Sequence, residues 1–155
     1  MNNSTDKLNF ISVVFPKLLQ NLDADAKGGW GVLNGQQMVE HMADSVRMAS
    51  GKNNQKLHTA PDLVGRYKDF AMSDKEFKPN TPNALMPDIP APKVNATMQE
   101  AINEYNDQIA AFIHYFEKNT EAIITNPFFG DLNFEEWTHL LHKHALHHSK
   151  QFGLL

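Results

Sequence analysis

Leu8, Ile11, Val14, Phe15, Leu18, Leu19 and Leu22 recur at steps of mostly three or four, the spacing that puts residues on one face of an α-helix. The stripe predicts a first helix from about Thr5 to Lys27. Pro16 forces a kink or a restart within it, because proline has no N–H and its ring crowds the preceding turn. Gly28-Gly29 ends it. Asn34 then offers an N-cap, with Gln37 placed as its capping-box partner, and a second helix follows to about Ser50 with Gly51 as its stop. Met98, Ile102, Tyr105, Ile109, Phe112, Ile113 and Phe116 form a third stripe, predicting a helix from about Ala96 to Thr120. Asn133 and Glu136 open a fourth helix that runs to about Phe152.

Between the second and third helices the pattern is weaker. Leu63 to Phe70 reads as a short helix. After it Pro79, Pro82, Pro87, Pro90 and Pro92 forbid any long helix. A loop of this length is either functional or a plain connector along the molecule. Asn126-Pro127-Phe128-Phe129-Gly130 reads as a tight aromatic connector, and no segment alternates as a strand does. The expectation is an all-α four-helix bundle, with a long Pro-rich crossover loop between helices 2 and 3, filling residues 1–155 as a single domain.

Composition narrows the function classes. The chain has 155 residues, 41% hydrophobic and 21% charged, which is ordinary for a globular domain. A formal net charge of -4 gives no basic footprint, so no nucleic-acid partner is expected. The N-terminal stretch lacks a basic region and is broken by Pro16, and no apolar run reaches membrane-span length. Neither a secretory signal nor a membrane partner is expected, and the cytoplasm is the expected location. Cysteine is absent, which removes disulfides, thiolate ligands and a Cys nucleophile together. A metal here must be held by His, Asp or Glu, and any sulfur nucleophile must arrive with the substrate.

Four of the 8 histidines fall between His142 and His148. A helix advances about 100° per residue, which sorts them by direction. With His144 at zero, Trp137, Leu140, Leu141 and Gln151 lie within about 60° and define the buried face. His148 sits inside that face at about 40°, His147 on its edge at about 60°, and His142 and His139 at about 140–160°, toward solvent. His144 and His148 are one turn apart, the spacing at which two imidazoles on one helix reach one ion. The same spacing serves two packed, hydrogen-bonded core histidines, and the pair alone does not choose between them. His41, mid-way along the second helix and on the shoulder of its Met stripe, is the candidate third ligand. Asp44 beside it either orients a ligand or is a solvated carboxylate, and Glu40 also flanks it. His58 and His114 are expected to be solvated.

Trp30-(x)5-Gln36-Gln37-Met38-Val39-Glu40-His41-Met42, followed by a late His144-x-x-His147-His148-x-x-Gln151, resembles the DinB/YfiT-like superfamily of metal-binding four-helix bundles. Asn126-Pro127-Phe128-Phe129-Gly130 followed by Glu136-Trp137 is similar to one branch of that superfamily known as a domain of unknown function. The resemblance implies one divalent metal held by His41, His144 and His148, with His147 not a ligand. It also implies kinship with transferases and isomerases that use a low-molecular-weight thiol, and a homodimer.

Three neutral imidazoles suit Zn²⁺ or Ni²⁺ and leave a coordination position open. The expected function is a mononuclear metal-dependent transferase or hydrolase acting on a small-molecule substrate, with a low-molecular-weight thiol as co-substrate and Gln151 behind a ligand. No general base or other catalytic residue is assigned. The alternatives are a non-catalytic metal-binding or stress-related helical-bundle protein, and a bundle whose histidines are simply packed.

Overall fold

The computed structural model describes residues 4–53, 55–79 and 91–155. The chain opens as one helical rod made of α1 (Ser4–Asn9), a π-helical stretch (Phe10–Val14) and α2 (Phe15–Leu19). Pro16 accounts for the middle stretch. Its missing N–H and its ring do not fit a regular ladder, and the Phe15 N–H reaches back five residues to the Phe10 carbonyl instead of four. The expected kink is thus absorbed as a π segment.

That solution leaves one acceptor over. The Ile11 carbonyl would be served by Phe15 in an α-helix or by Pro16 in a π-helix, but Phe15 is engaged elsewhere and Pro16 has no donor. The Tyr105 hydroxyl supplies it, donating to the Ile11 carbonyl at 2.6 Å. Tyr105 is 0% exposed, and burial pushes its phenol well above the ordinary tyrosine value.

The rod stops at Leu19, not at the expected Lys27. Gln20, Asn21 and Leu22 send their N–H groups back only three residues, at 3.1–3.2 Å, so the last turn tightens and ends. Leu22 keeps the helical spacing in sequence yet is buried from this turn, which is why periodicity over-extended the helix. Residues 23–34 then fold back as a loop, with Lys27 and Asn34 forming an isolated bridge.

α3 (Gly35–Ala49) begins on the expected capping box. Gln37 N–H donates to Asn34 Oδ1 at 2.8 Å and Asn34 N–H to Gln37 Oε1 at 2.9 Å. It ends before Gly51, whose φ of 74° suits glycine. α4 (Val64–Met72) lies close to the expected short helix. α5 (Met98–Lys118), capped by Thr97, packs its buried stripe of Ile102, Tyr105, Ile109 and Phe112 against Met38, Met42 and Val46 of α3. Of the five prolines expected to form the crossover, Pro82, Pro87 and Pro90 lie outside the described residues.

Where no strand was expected, β1 (Ile124–Asn126) and β2 (Gly130–Leu132) form an antiparallel hairpin with Ile124 opposite Leu132. The aromatic connector is its turn. Asn126 Oδ1 accepts the Phe128 and Phe129 N–H groups at 2.8 and 3.1 Å, and Gly130 takes φ 79°. Strands of three residues are too short to display an alternating pattern. α6 (Phe134–Gln151) starts on the expected Asn133–Glu136 capping box. The described chain is therefore mostly helical with one small hairpin, and none of its helices is long and apolar enough to cross a membrane.

Removing the donor that answers Pro16 should be costly. Tyr105→Phe leaves the Ile11 carbonyl buried and unpaired, and is expected to lower stability by about 1–3 kcal/mol in urea denaturation. A change below about 0.5 kcal/mol would show that water serves that carbonyl instead.

Candidate metal centre

His41 stands mid-way along α3, and His144 and His148 stand one turn apart on α6. The packing of these two helices brings the three imidazoles together. One nitrogen from each lies within 4.8 Å of the others. His41 Nε2 is 3.0 Å from His144 Nε2, and His148 Nε2 is 2.9 Å from the same atom. Of the described residues these three form a group able to hold a metal ion.

Gln151 fixes one tautomer. Its Nε2 donates to the Trp30 carbonyl at 2.8 Å, so its Oε1 must face His148 Nδ1, 2.6 Å away. That oxygen can only accept, so His148 Nδ1 carries the proton and His148 Nε2 presents a lone pair. The glycines of Gly28-Gly29-Trp30-Gly31 make room for the bridge. A Cβ on Gly28 would come within 2.8 Å of the Gln151 Cγ, and one on Gly31 (φ 79°) within 2.8 Å of its Nε2. The Gly29 N–H donates to the Gln151 carbonyl at 2.6 Å. These glycines are thus the socket of Gln151 and not the stop of the first helix.

Protons alone do not satisfy the cluster. If His144 Nε2 carries one, it must be shared between two nitrogens. If it does not, its lone pair faces that of His148 at 2.9 Å. Extra protons are disfavoured as well. Burial lowers His41 to about 4, with the nearby His147 adding to it. Burial lowers His148 to about 3, helped by His41 and opposed by the Gln151 hydrogen bond. Burial first, then its histidine neighbours, holds His144 well below the ordinary value. Three neutral imidazoles with Nε2 atoms converging are the donor set of a borderline divalent cation. Nitrogens at about 2.0–2.1 Å from a tetrahedral ion are about 3.3 Å apart, so the His41–His144 and His144–His148 pairs, at 3.0 and 2.9 Å, need to open by only a few tenths of an ångström.

His147 is the edge residue that helical direction indicated. Its ring lies 5.4 Å from Trp30 and 6.1 Å from Phe77. Phe77 also stands 6.4 Å from the His144 ring, edge-on. Trp30 and Phe77 thus wall the histidines. The residues 73–79 that bring Phe77 there show no periodicity, and nothing in the sequence pointed to them.

Two histidines expected to face solvent do not. His142 is 8% exposed, with its ring edge-on to Phe10 at 5.2 Å. His139 is half-buried and bonded at both nitrogens, to Lys7 Nζ at 2.9 Å and to the Ser73 carbonyl at 3.0 Å. The reason is that α6 is covered on both sides, by α3 on one and by α1 and residues 70–79 on the other. His58 and His114 are exposed as expected. Asp44 is exposed and paired with Arg47, so it takes no part in the cluster. Glu40 turns away from it. Its carboxylate accepts the Val94 and Asn95 N–H groups at 2.9 and 2.8 Å, tying the chain ahead of α5 onto α3. Burial raises its pKa, but these bonds outweigh burial and leave it lowered.

The family model of the DinB superfamily matches residues 15–152, and the chain belongs to that superfamily. Comparison with curated proteins and with solved structures finds no match.

The lowered histidines fix the sign of a pH response in chelated, metal-free protein. Below about pH 6.5 the unfolded chain takes up protons that His41, His144 and His148 refuse in the fold, so acidification favours unfolding. The melting temperature is expected to fall steadily from pH 6.5 toward about 4 and to gain nothing from these groups above 6.5. His41→Phe should flatten that slope in differential scanning calorimetry, and an unchanged slope would show that His41 is not held neutral.

Proposed function

We propose that this DinB-superfamily chain holds one divalent cation, Zn²⁺ or Ni²⁺, on His41, His144 and His148, and that it is a metal-dependent transferase or hydrolase for a small molecule. The observation that carries the reading is the convergence of three Nε2 atoms that no arrangement of protons satisfies. In the same reading the helical stretch of residues 4–19 with α3, α5 and α6 forms the four-helix frame that positions those ligands.

Three protein ligands leave a coordination position open, and an ion held so acidifies a water or thiol that reaches it. The chain's own residues do the rest. Gln151 holds His148 in the tautomer that aims Nε2 at the site. Trp30 and Phe77 limit the water around the histidines. The absence of cysteine favours a low-molecular-weight thiol from outside as nucleophile over any sulfur of the chain.

Metal analysis of untagged protein by mass spectrometry tests the ligands. Wild type is expected to carry about one ion per chain, and His144→Ala almost none. Unchanged metal in His144→Ala would sink the assignment. Gln151→Ala keeps all three ligands and should weaken metal affinity about 10–100-fold, because the His148 tautomer is then unsupported. Turnover of thiol–acceptor pairs or esters tests the enzyme part separately. One ion per chain without turnover points to the non-catalytic metal-binding reading.

A further inference from the structure

The side of α6 turned toward α1 and residues 73–79 borders a half-open cavity of about 330 Å³. That volume lies in the range of small-molecule pockets, about 300–1,000 Å³. It does not include His41, His144 or His148, but Phe77 and His147 line it and also lie against His144 and His148. We propose that this cavity binds a small organic anion, a carboxylate or phosphate monoester with an apolar body. The proposal goes beyond the metal reading and does not require it.

The first support is His142. It lines the cavity, is 8% exposed, and its ring makes no hydrogen bond to any described residue. Most of the side chain is covered, but its ring nitrogens are not fully buried, so they reach the cavity and are open to a ligand that enters it. The contrast with His139, three residues earlier and bonded at both nitrogens, shows that this part of α6 satisfies its histidines where it can.

The second support is charge. Lys7, Lys75, Lys143 and Lys150 line the cavity against Asp74 and Glu76, leaving two positive charges in excess. Not all the lysines are available as donors. Lys143 caps the end of α4, giving its N–H groups to the Phe70, Ser73 and Ala71 carbonyls at 2.8, 3.3 and 3.4 Å. Lys150 is paired with Glu76. Lys143 contributes field and no free bond, whereas Lys150 spends one N–H on Glu76, and the Lys75 ammonium makes no bond to any described residue. Lys7 spends one N–H on His139, and its others have no partner among the described residues. Lys7 lies on the α1 side of the cavity with His142, and these two are the groups we assign to hold an anion directly, with Lys75 and Lys150 at its rim adding charge. Trp30 and Phe77 supply flat apolar walls for the remainder of the ligand.

Benzoate, phenyl phosphate and neutral benzamide have similar bodies and differ in charge, so they make the test. Each is titrated into the full-length protein, as purified and again after chelation, following the His142 ring resonances by NMR and the heat of binding. Saturable shifts at His142 with either anion, at least ten-fold tighter than with benzamide, are expected in both preparations. The anion that binds identifies the headgroup. Lys7→Met should weaken anion binding five-fold or more while leaving metal per chain unchanged. His142→Phe, which can pack on Phe10, should do the same. Equal binding of benzamide, no shift at His142, or undiminished binding in Lys7→Met would overturn the proposal and leave a merely hydrated cavity. Loss of metal with anion binding intact would count against the three-histidine centre alone.

Discussion

A single amide, that of Gln151, orders the histidine cluster. Held by the Trp30 carbonyl on one side, it has only an oxygen to offer His148 on the other, and that choice propagates. His148 must donate from Nδ1, its Nε2 presents a lone pair to His144, and the three inner nitrogens have at best one proton of His144 to divide between two neighbours. Burial then withholds the protonation that would otherwise relieve them. The loop at Gly28–Gly31 exists in its close form because a side chain at Gly28 or Gly31 would collide with the same amide. Loop, helix end and cluster are one unit.

Helical direction was enough to find the inward pair. The angles of His144 and His148 relative to Trp137 and Leu140 placed them on the buried face, and the structure brings them to His41. The same reasoning failed for His142, because a helical wheel assumes one covered face. α6 has two, since Phe10 and Lys7 of the N-terminal rod close over the side that the wheel assigned to water. Capping boxes were legible at Asn34 and Asn133 because their determinants are local in sequence. Leu22 misled for the opposite reason: burial continued after the helix had stopped, and periodicity reports burial, not hydrogen bonding. The β-hairpin and Phe77 left no trace in any pattern, the first because its strands are three residues long, the second because it lies in the non-helical segment after α4.

α6 therefore carries two kinds of chemistry a quarter to half a turn apart. Neutral imidazoles converge toward α3, while lysines and an unbonded imidazole line the opposite cavity, with His147 and Phe77 between them. The first set lies between α3 and α6, and the second follows from how this chain folds residues 70–79 back onto α6.

The bond between Tyr105 and the Ile11 carbonyl spans 94 positions in sequence. It turns a local defect into a register mark. A helix without proline could slide along its neighbour by one turn and still satisfy every carbonyl. Here one carbonyl is vacant at a single height on the rod, and one phenol on α5 reaches it, so sliding either helix strands both groups in the core. Pro16 thereby acts as a ruler for the N-terminal rod: it sets the axial position of residues 4–19, and with it the level at which Lys7 and Phe10 meet α6.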